Sequence, residues 1–111
     1  MEDSDKLLRE GLPHILSKVF PLRAIRAIVH GRVQGVFFRA FTRDKAHQLN
    51  LVGWVRNKRD GTVECQVQGP EQVINEFVEF LFEGSPSSRV DDVVVLEVPF
   101  DPNLRNFKIT Y

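Results

Sequence analysis

Val29-His30-Gly31-Arg32-Val33-Gln34-Gly35-Val36-Phe37-Phe38-Arg39 joins two kinds of periodicity. An apolar run from Ile25 to Val29 enters it as a strand would, and helical spacing over residues 38–50 leaves it. Between them lies a turn with two glycines. Gly31 and Gly35 can adopt positive φ and carry no Cβ, so the backbone can fold tightly and bring several N–H groups toward one point. The helix that follows adds its free N-terminal N–H groups and the positive end of its dipole, and Arg39 adds a five-donor fork in the first turn. The combination predicts an oxyanion cradle, most simply for phosphate. A glycine turn between strand and helix also serves as a plain connection, and the stretch alone leaves both readings open. It lacks the Gly-Lys-Ser/Thr ending of a nucleotide P-loop and the Gly-x-Gly-x-x-Gly spacing of a dinucleotide site, so neither class fits.

Outward from this turn the chain alternates regularly. Strands are expected over 23–30, 51–57, 62–68, 90–99 and 107–111, and helices over 38–48 and 71–82. Lys58-Arg59-Asp60-Gly61 reads as a hairpin turn, its Asp-Gly suited to positive φ. Residues 62–68 alternate, with Val63, Cys65 and Val67 on one face and Thr62, Glu64, Gln66 and Gln68 on a face expected to meet solvent. In the second helix Val73, Phe77, Phe80 and Leu81 form the stripe expected to pack inward, and Phe37, Phe38 and Phe41 are expected in the core. The order predicts an α+β, ferredoxin-like βαββαβ sandwich with two helices on one face of a mostly antiparallel sheet and an extra C-terminal strand. Right-handed crossovers make the first two strands parallel with the third between them. Asn57, at the end of the second strand, and Gly31 then fall at the same end of the sheet.

The 111 residues suit one domain, read as 23–111 preceded by an N-terminal extension, 1–22. In that extension Leu7, Leu8, Leu12, Ile15, Leu16 and Val19 have near-helical spacing broken by Gly11 and Pro13, which predicts a short broken helix or a loose arm. Charged residues are 27% and hydrophobic ones 42%, ordinary for a globular protein, which excludes disordered and fibrous classes. No apolar run approaches the ~20 residues that span a bilayer, and the start lacks a basic, apolar leader, so a cytoplasmic protein without a membrane partner is expected. The lone Cys65 reads as a buried small hydrophobe. Net charge is zero, yet residues 24–59 sum to +7 and residues 60–111 to −7. The positive segment would draw a small anion.

The pattern Val29-x-Gly31-x-Val33-Gln34-Gly35-Val36-x-Phe38-Arg39 closely resembles the first signature of the acylphosphatases, small enzymes that hydrolyse the carboxyl-phosphate bond of acyl phosphates. Gly53-Trp54-Val55-Arg56-Asn57, three residues, Gly61-x-Val63, five residues and Gly69 resembles the family's other signature. The likeness covers residues 24–111 and includes the loop Gly84-Ser85-Pro86-Ser87-Ser88-Arg89-Val90-Asp91 before the fourth strand. It implies the same ferredoxin-like topology and an acylphosphatase with no cofactor, an acyl phosphate substrate, and inorganic phosphate as product and competitive inhibitor. It implies that the phosphoryl group is bound along Arg32, Val33, Gln34, Gly35, Val36, Phe37, Phe38 and Arg39, and that Arg39 and Asn57 are catalytic.

The chemistry agrees with that short cast. A departing carboxylate needs no general acid, so the tasks are to hold three phosphoryl oxygens, offset their charge and align a water. Asn57 has the donor and acceptor that water needs, although Asn also commonly opens a turn. Arg39 in a helix's first turn opposes the dipole, which calls for a reason. His14, His30 and His47 are scattered without ligand spacing, so no metal is expected; only His30 borders the cradle. A monomer is expected. The rival readings are a non-catalytic small-anion sensor and an RNA-binding ferredoxin-like module. The second wants aromatic residues on the third strand, which has none, so no nucleic acid partner is expected.

Overall fold

The structure is a computed structural model that describes residues 21–111. Five strands, β1 (Leu22–Arg32), β2 (Val52–Asn57), β3 (Val63–Pro70), β4 (Arg89–Glu97) and β5 (Phe107–Ile109), form one sheet in the order β4-β1-β3-β2-β5. Helices α1 (Phe38–Gln48) and α2 (Glu71–Glu83) follow β1 and β3. β3 is antiparallel to both β1 and β2, so those two run parallel with β3 between them, as the right-handed βαβ rule requires. β4 is antiparallel to β1, and β5 is parallel to β2 at the other edge. This is the ferredoxin-like sandwich with its additional C-terminal strand. The broken helix or arm expected before Pro21 lies outside the described residues.

Burial explains why these segments hold together. Ile25, Ala27 and Val29 of β1, Val63, Cys65 and Val67 of β3, Val55 of β2 and Phe107 of β5 point to one face of the sheet and are almost wholly buried. Phe38 and Ala46 of α1 and Ile74, Phe77 and Leu81 of α2 close over them, with the Phe77 and Phe107 rings tilted at a 6.1 Å separation. Each large side chain so buried contributes about 1.5–3 kcal/mol. The stripe of α2 differs from expectation: Ile74 is fully buried, while Val73 and Phe80 sit partly covered at its flanks.

The other face of β3 departs from its expected solvation. Thr62, Glu64, Gln66 and Gln68 are all buried. β3 is the central strand, so long side chains from both neighbours lie over it: the Arg26 guanidinium donates to Gln66 Oε1 at 2.7 Å, and Arg56 donates to Glu64 Oε1 at 2.7 Å. Trp54 lies between them, its ring centre 5.8 Å from the Arg26 guanidinium carbon and 5.5 Å from that of Arg56. At the far end Gln68 exchanges two hydrogen bonds with the backbone of Asp101.

Several boundaries also move. β1 continues two residues past His30, because the register against β4 shifts between His30 and Gly31 and pairing resumes at Gly31 and Arg32. A Cβ on Gly31 would collide with the carbonyl of Arg89 and come within 2.8 Å of the Asp91 nitrogen, so the close approach of β1 and β4 there depends on glycine. β4 ends at Glu97 and β5 at Ile109, both short of the expected limits.

Candidate active site

The turn from β1 to α1 is held from beneath by apolar side chains. Val33, Val36 and Phe38 are buried in the core, while Arg32, Gly35 and Phe37 face outward. Core packing was expected of Phe37 and Phe41 as well; both are exposed, Phe37 by 75%, and only Phe38 packs inward. The reason is backbone conformation. Phe37 caps α1 with φ 61° and ψ 21°, a left-handed conformation that turns its ring away from the protein. For a bulky residue this costs about 1–3 kcal/mol and persists only where the surroundings enforce it. Gly35 also has a positive φ, 74°, and an added Cβ there would meet nothing within 4 Å, so conformation and not space selects glycine.

Positive φ at two nearby positions turns successive N–H groups to one side, the geometry of an anion-binding concavity. α1 begins at that concavity with no side-chain cap and no acidic residue in its first turn. Its terminal N–H groups and dipole are therefore unanswered by the protein's own side chains. Arg39 stands in the same turn, half-buried. Among the described residues it makes no salt bridge, and its guanidinium carbon lies 5.3 Å from the centre of the Tyr111 ring. Nothing in the sequence pointed to Tyr111 as a neighbour of Arg39.

Asn57 reaches the same end of the sheet by strand register. It lies opposite Val63, which lies opposite Val29, so Asn57 and the last residues before the glycine turn are separated by two strand spacings, about 10 Å. Its alternation with Val55 directs it to the helix-bearing side. Its Oδ1 is buried and has no hydrogen-bond partner, one of two such atoms among the described residues, the other being Thr42 Oγ1. A buried carbonyl oxygen left unpaired costs about 1–3 kcal/mol.

The remaining expected residues divide. The Gln34 side chain turns from the cradle to the β2–β3 hairpin, where Nε2 donates to the carbonyls of Lys58 at 2.7 Å and Thr62 at 2.9 Å. Arg32 is exposed opposite Arg89 on β4. His30 is exposed opposite Asp92, and His47 Nε2 lies 2.9 Å from the Phe107 carbonyl, far from any cluster; His14 lies outside the described residues. The described residues hold no group of three or more His, Cys, Asp or Glu side chains able to bind a metal ion. A second anchor, missed in the sequence, is Ser85: its hydroxyl donates to the Val36 carbonyl at 2.8 Å and ties the cradle to the loop before β4. In the hairpin, the Thr62 hydroxyl and N–H both donate to Asp60 and hold its carboxyl below the ordinary value. Burial pushes the Cys65 thiol up to about 12, so it is an inert core group.

A ferredoxin-like α+β domain with an uncapped helix start, a glycine turn and an arginine gathered at one end of the sheet defines a class: small-oxyanion proteins of the phosphate-handling kind. The sequence model described as Acylphosphatase matches residues 25–109. The chain is 51% identical over 72 residues to Acylphosphatase-2 of Bos taurus, which covers 64% of this chain and 73% of the relative. It is 44% identical over 87 residues to an acylphosphatase of Rubrobacter xylanophilus, covering 78% and 79%. The crystal structure of acylphosphatase from Bacillus subtilis superimposes with a TM-score of 0.77 at 44% identity, over 81% of this chain and 99% of that one. The chain belongs to the acylphosphatase family and is an enzyme of that family, whose substrates are small acyl phosphates. No helix among the described residues is long and apolar enough to cross a membrane.

Proposed function

We propose that the chain hydrolyses the carboxyl-phosphate bond of small acyl phosphates with Arg39 and the backbone amides of residues 32–38 holding the phosphoryl group and Asn57 orienting the attacking water. The observation that carries this reading is the unpartnered, buried Oδ1 of Asn57, standing at the same end of the sheet as an uncapped helix start and an arginine that has no carboxylate partner among the described residues. A water bound to Asn57 would satisfy Oδ1 with one of its hydrogens and leave a lone pair to face phosphorus. The P–O bond to the acyl group breaks, a new P–O bond forms to that water, both of its protons stay on the oxygens of the product phosphate, and the carboxylate leaves unprotonated. Arg39 and the amides meet the charge on the three equatorial oxygens of a loose transition state. Product phosphate carries the same three oxygens and would compete for the same donors. We further propose that the enzyme works as a monomer in the cytoplasm, without nucleic acid or membrane; the unpaired, buried Cys65 fits a reducing compartment.

The test is release of carboxylate and phosphate from acetyl phosphate by the purified protein. Arg39→Ala is expected to abolish nearly all turnover and to weaken inhibition by phosphate, and Arg39→Lys to fare little better, because a point charge does not reproduce a planar two-pronged donor. Full activity in an Arg39→Ala protein shown to be folded by circular dichroism would overturn the assignment.

A further inference from the structure

Gln34 sits in the middle of the cradle, yet its side chain leaves it. Its Nε2 donates to Lys58 O and to Thr62 O, the two carbonyls at the mouth of the β2–β3 hairpin. Those carbonyls already accept from the hairpin itself: Thr62 O from the Lys58 N–H at 2.9 Å, and Lys58 O from the Gly61 N–H at 3.2 Å. The carboxamide therefore completes a closed set of four hydrogen bonds across the turn. The hairpin's other arm is fixed as well, since Asp60 Oδ1 accepts from both the hydroxyl and the N–H of Thr62. Lys58 is the residue after Asn57. From the geometry we infer that Gln34 is a positioning residue: its side chain braces the phosphate cradle against the hairpin and so fixes the distance between the bound phosphoryl group and Asn57.

The chemistry demands an amide of this length. Two carbonyl oxygens must be served from one atom, which takes a nitrogen with two hydrogens. An ionised Glu offers acceptors where donors are needed, and Met offers neither. The backbone of Gln34 stays free to present its N–H to phosphate, so one residue serves the cradle with its main chain and the water-holding side with its side chain. A brace of this kind acts on the reaction geometry and not on affinity for the anion. Displacement of about 1 Å between reacting groups can cost on the order of a hundredfold in rate.

This inference rests on the proposed roles of Arg39 and Asn57, and its test separates the two. Gln34→Met, with Gln34→Leu as a second uncharged variant should the first fail to fold, is expected to lower kcat about tenfold to a hundredfold while the inhibition constant of inorganic phosphate changes less than about threefold. In an Asn57→Ala background the same substitution is expected to cost less than about twofold, because the water it helps to place is already lost. A phosphate inhibition constant rising in step with the loss of rate would make Gln34 a phosphate ligand and overturn the brace. So would losses that multiply fully in the double variant. If the wild-type protein turned over no acyl phosphate, the functional reading would fall, and amide hydrogen exchange would read the brace alone. Gln34→Met is then expected to speed exchange of the Lys58 amide at least about tenfold, and unchanged exchange overturns the inference.

Discussion

Asn57 and Arg39 lie at one end of one sheet, but the chemistry asks different things of them. In the proposed mechanism Arg39 meets the anion in both ground and transition states, whereas Asn57 orients the nucleophile without binding phosphate. Removing Asn57 therefore removes an interaction that counts in the transition state alone. Asn57→Ala is expected to lower kcat by about 10²–10³ with the inhibition constant of phosphate unchanged, measured by steady-state kinetics with phosphate as competitor. Stability should hold, since the atom removed is a buried oxygen that the fold leaves unpaired. Asn57→Asp is no rescue: a carboxylate repels the incoming phosphoryl group and lacks the amide hydrogens. An inhibition constant that rose with the loss of rate would place Asn57 in the cradle, and the backbone of the glycine turn would become the host of the water.

The elements around the site were legible wherever the cause is local. Strand alternation, the 3.6-residue spacing of α1 and the two glycines of the turn are set by each residue and its near neighbours, and the parallel run of β1 and β2 on either side of β3, which carries Asn57 to the level of Val29, follows from the βαβ crossover. What stayed hidden depends on residues distant in sequence. The polar face of β3 is buried because Arg26, Trp54 and Arg56 arrive from the adjacent strands, and the Gln34 carboxamide finds carbonyls 24 and 28 positions away. Phe37 and Phe41 read as core because they are aromatic, yet the left-handed start of α1 turns the Phe37 ring outward. The two turn glycines look alike in sequence and do different work. Gly35→Ala adds a Cβ into open space and costs only the conformational penalty of positive φ, about 1–2 kcal/mol. Gly31→Ala forces the same Cβ into the backbone of β4 at Arg89, and is expected to cost at least about 2 kcal/mol more in urea unfolding because one strand must yield to the other. Equal losses at the two positions would mean that β4 gives way freely.

For the molecule as a whole, residues 21–111 hold the five strands, the two helices described above and all the proposed site residues. The point at which to cut is set by a hydrogen bond: the carbonyl of Pro21 accepts from the Glu71 N–H at 2.8 Å, satisfying a donor at the start of α2 that has no partner within its own helix. We propose that residues from Pro21 onward fold alone, and that a cut one residue later forfeits about 1 kcal/mol through that orphaned amide. A chain of residues 21–111 is expected to turn over acetyl phosphate within about twofold of the full chain and to unfold in urea at nearly the same midpoint. The measurement also bears on the face of the sheet opposite α1 and α2, where Leu22, Val94 and Leu96 are 37%, 40% and 53% exposed. A strip that small is tolerated on a soluble monomer. If the shortened chain instead aggregates while the full one does not, residues 21–111 do not fold alone and the boundary at residue 22 is overturned.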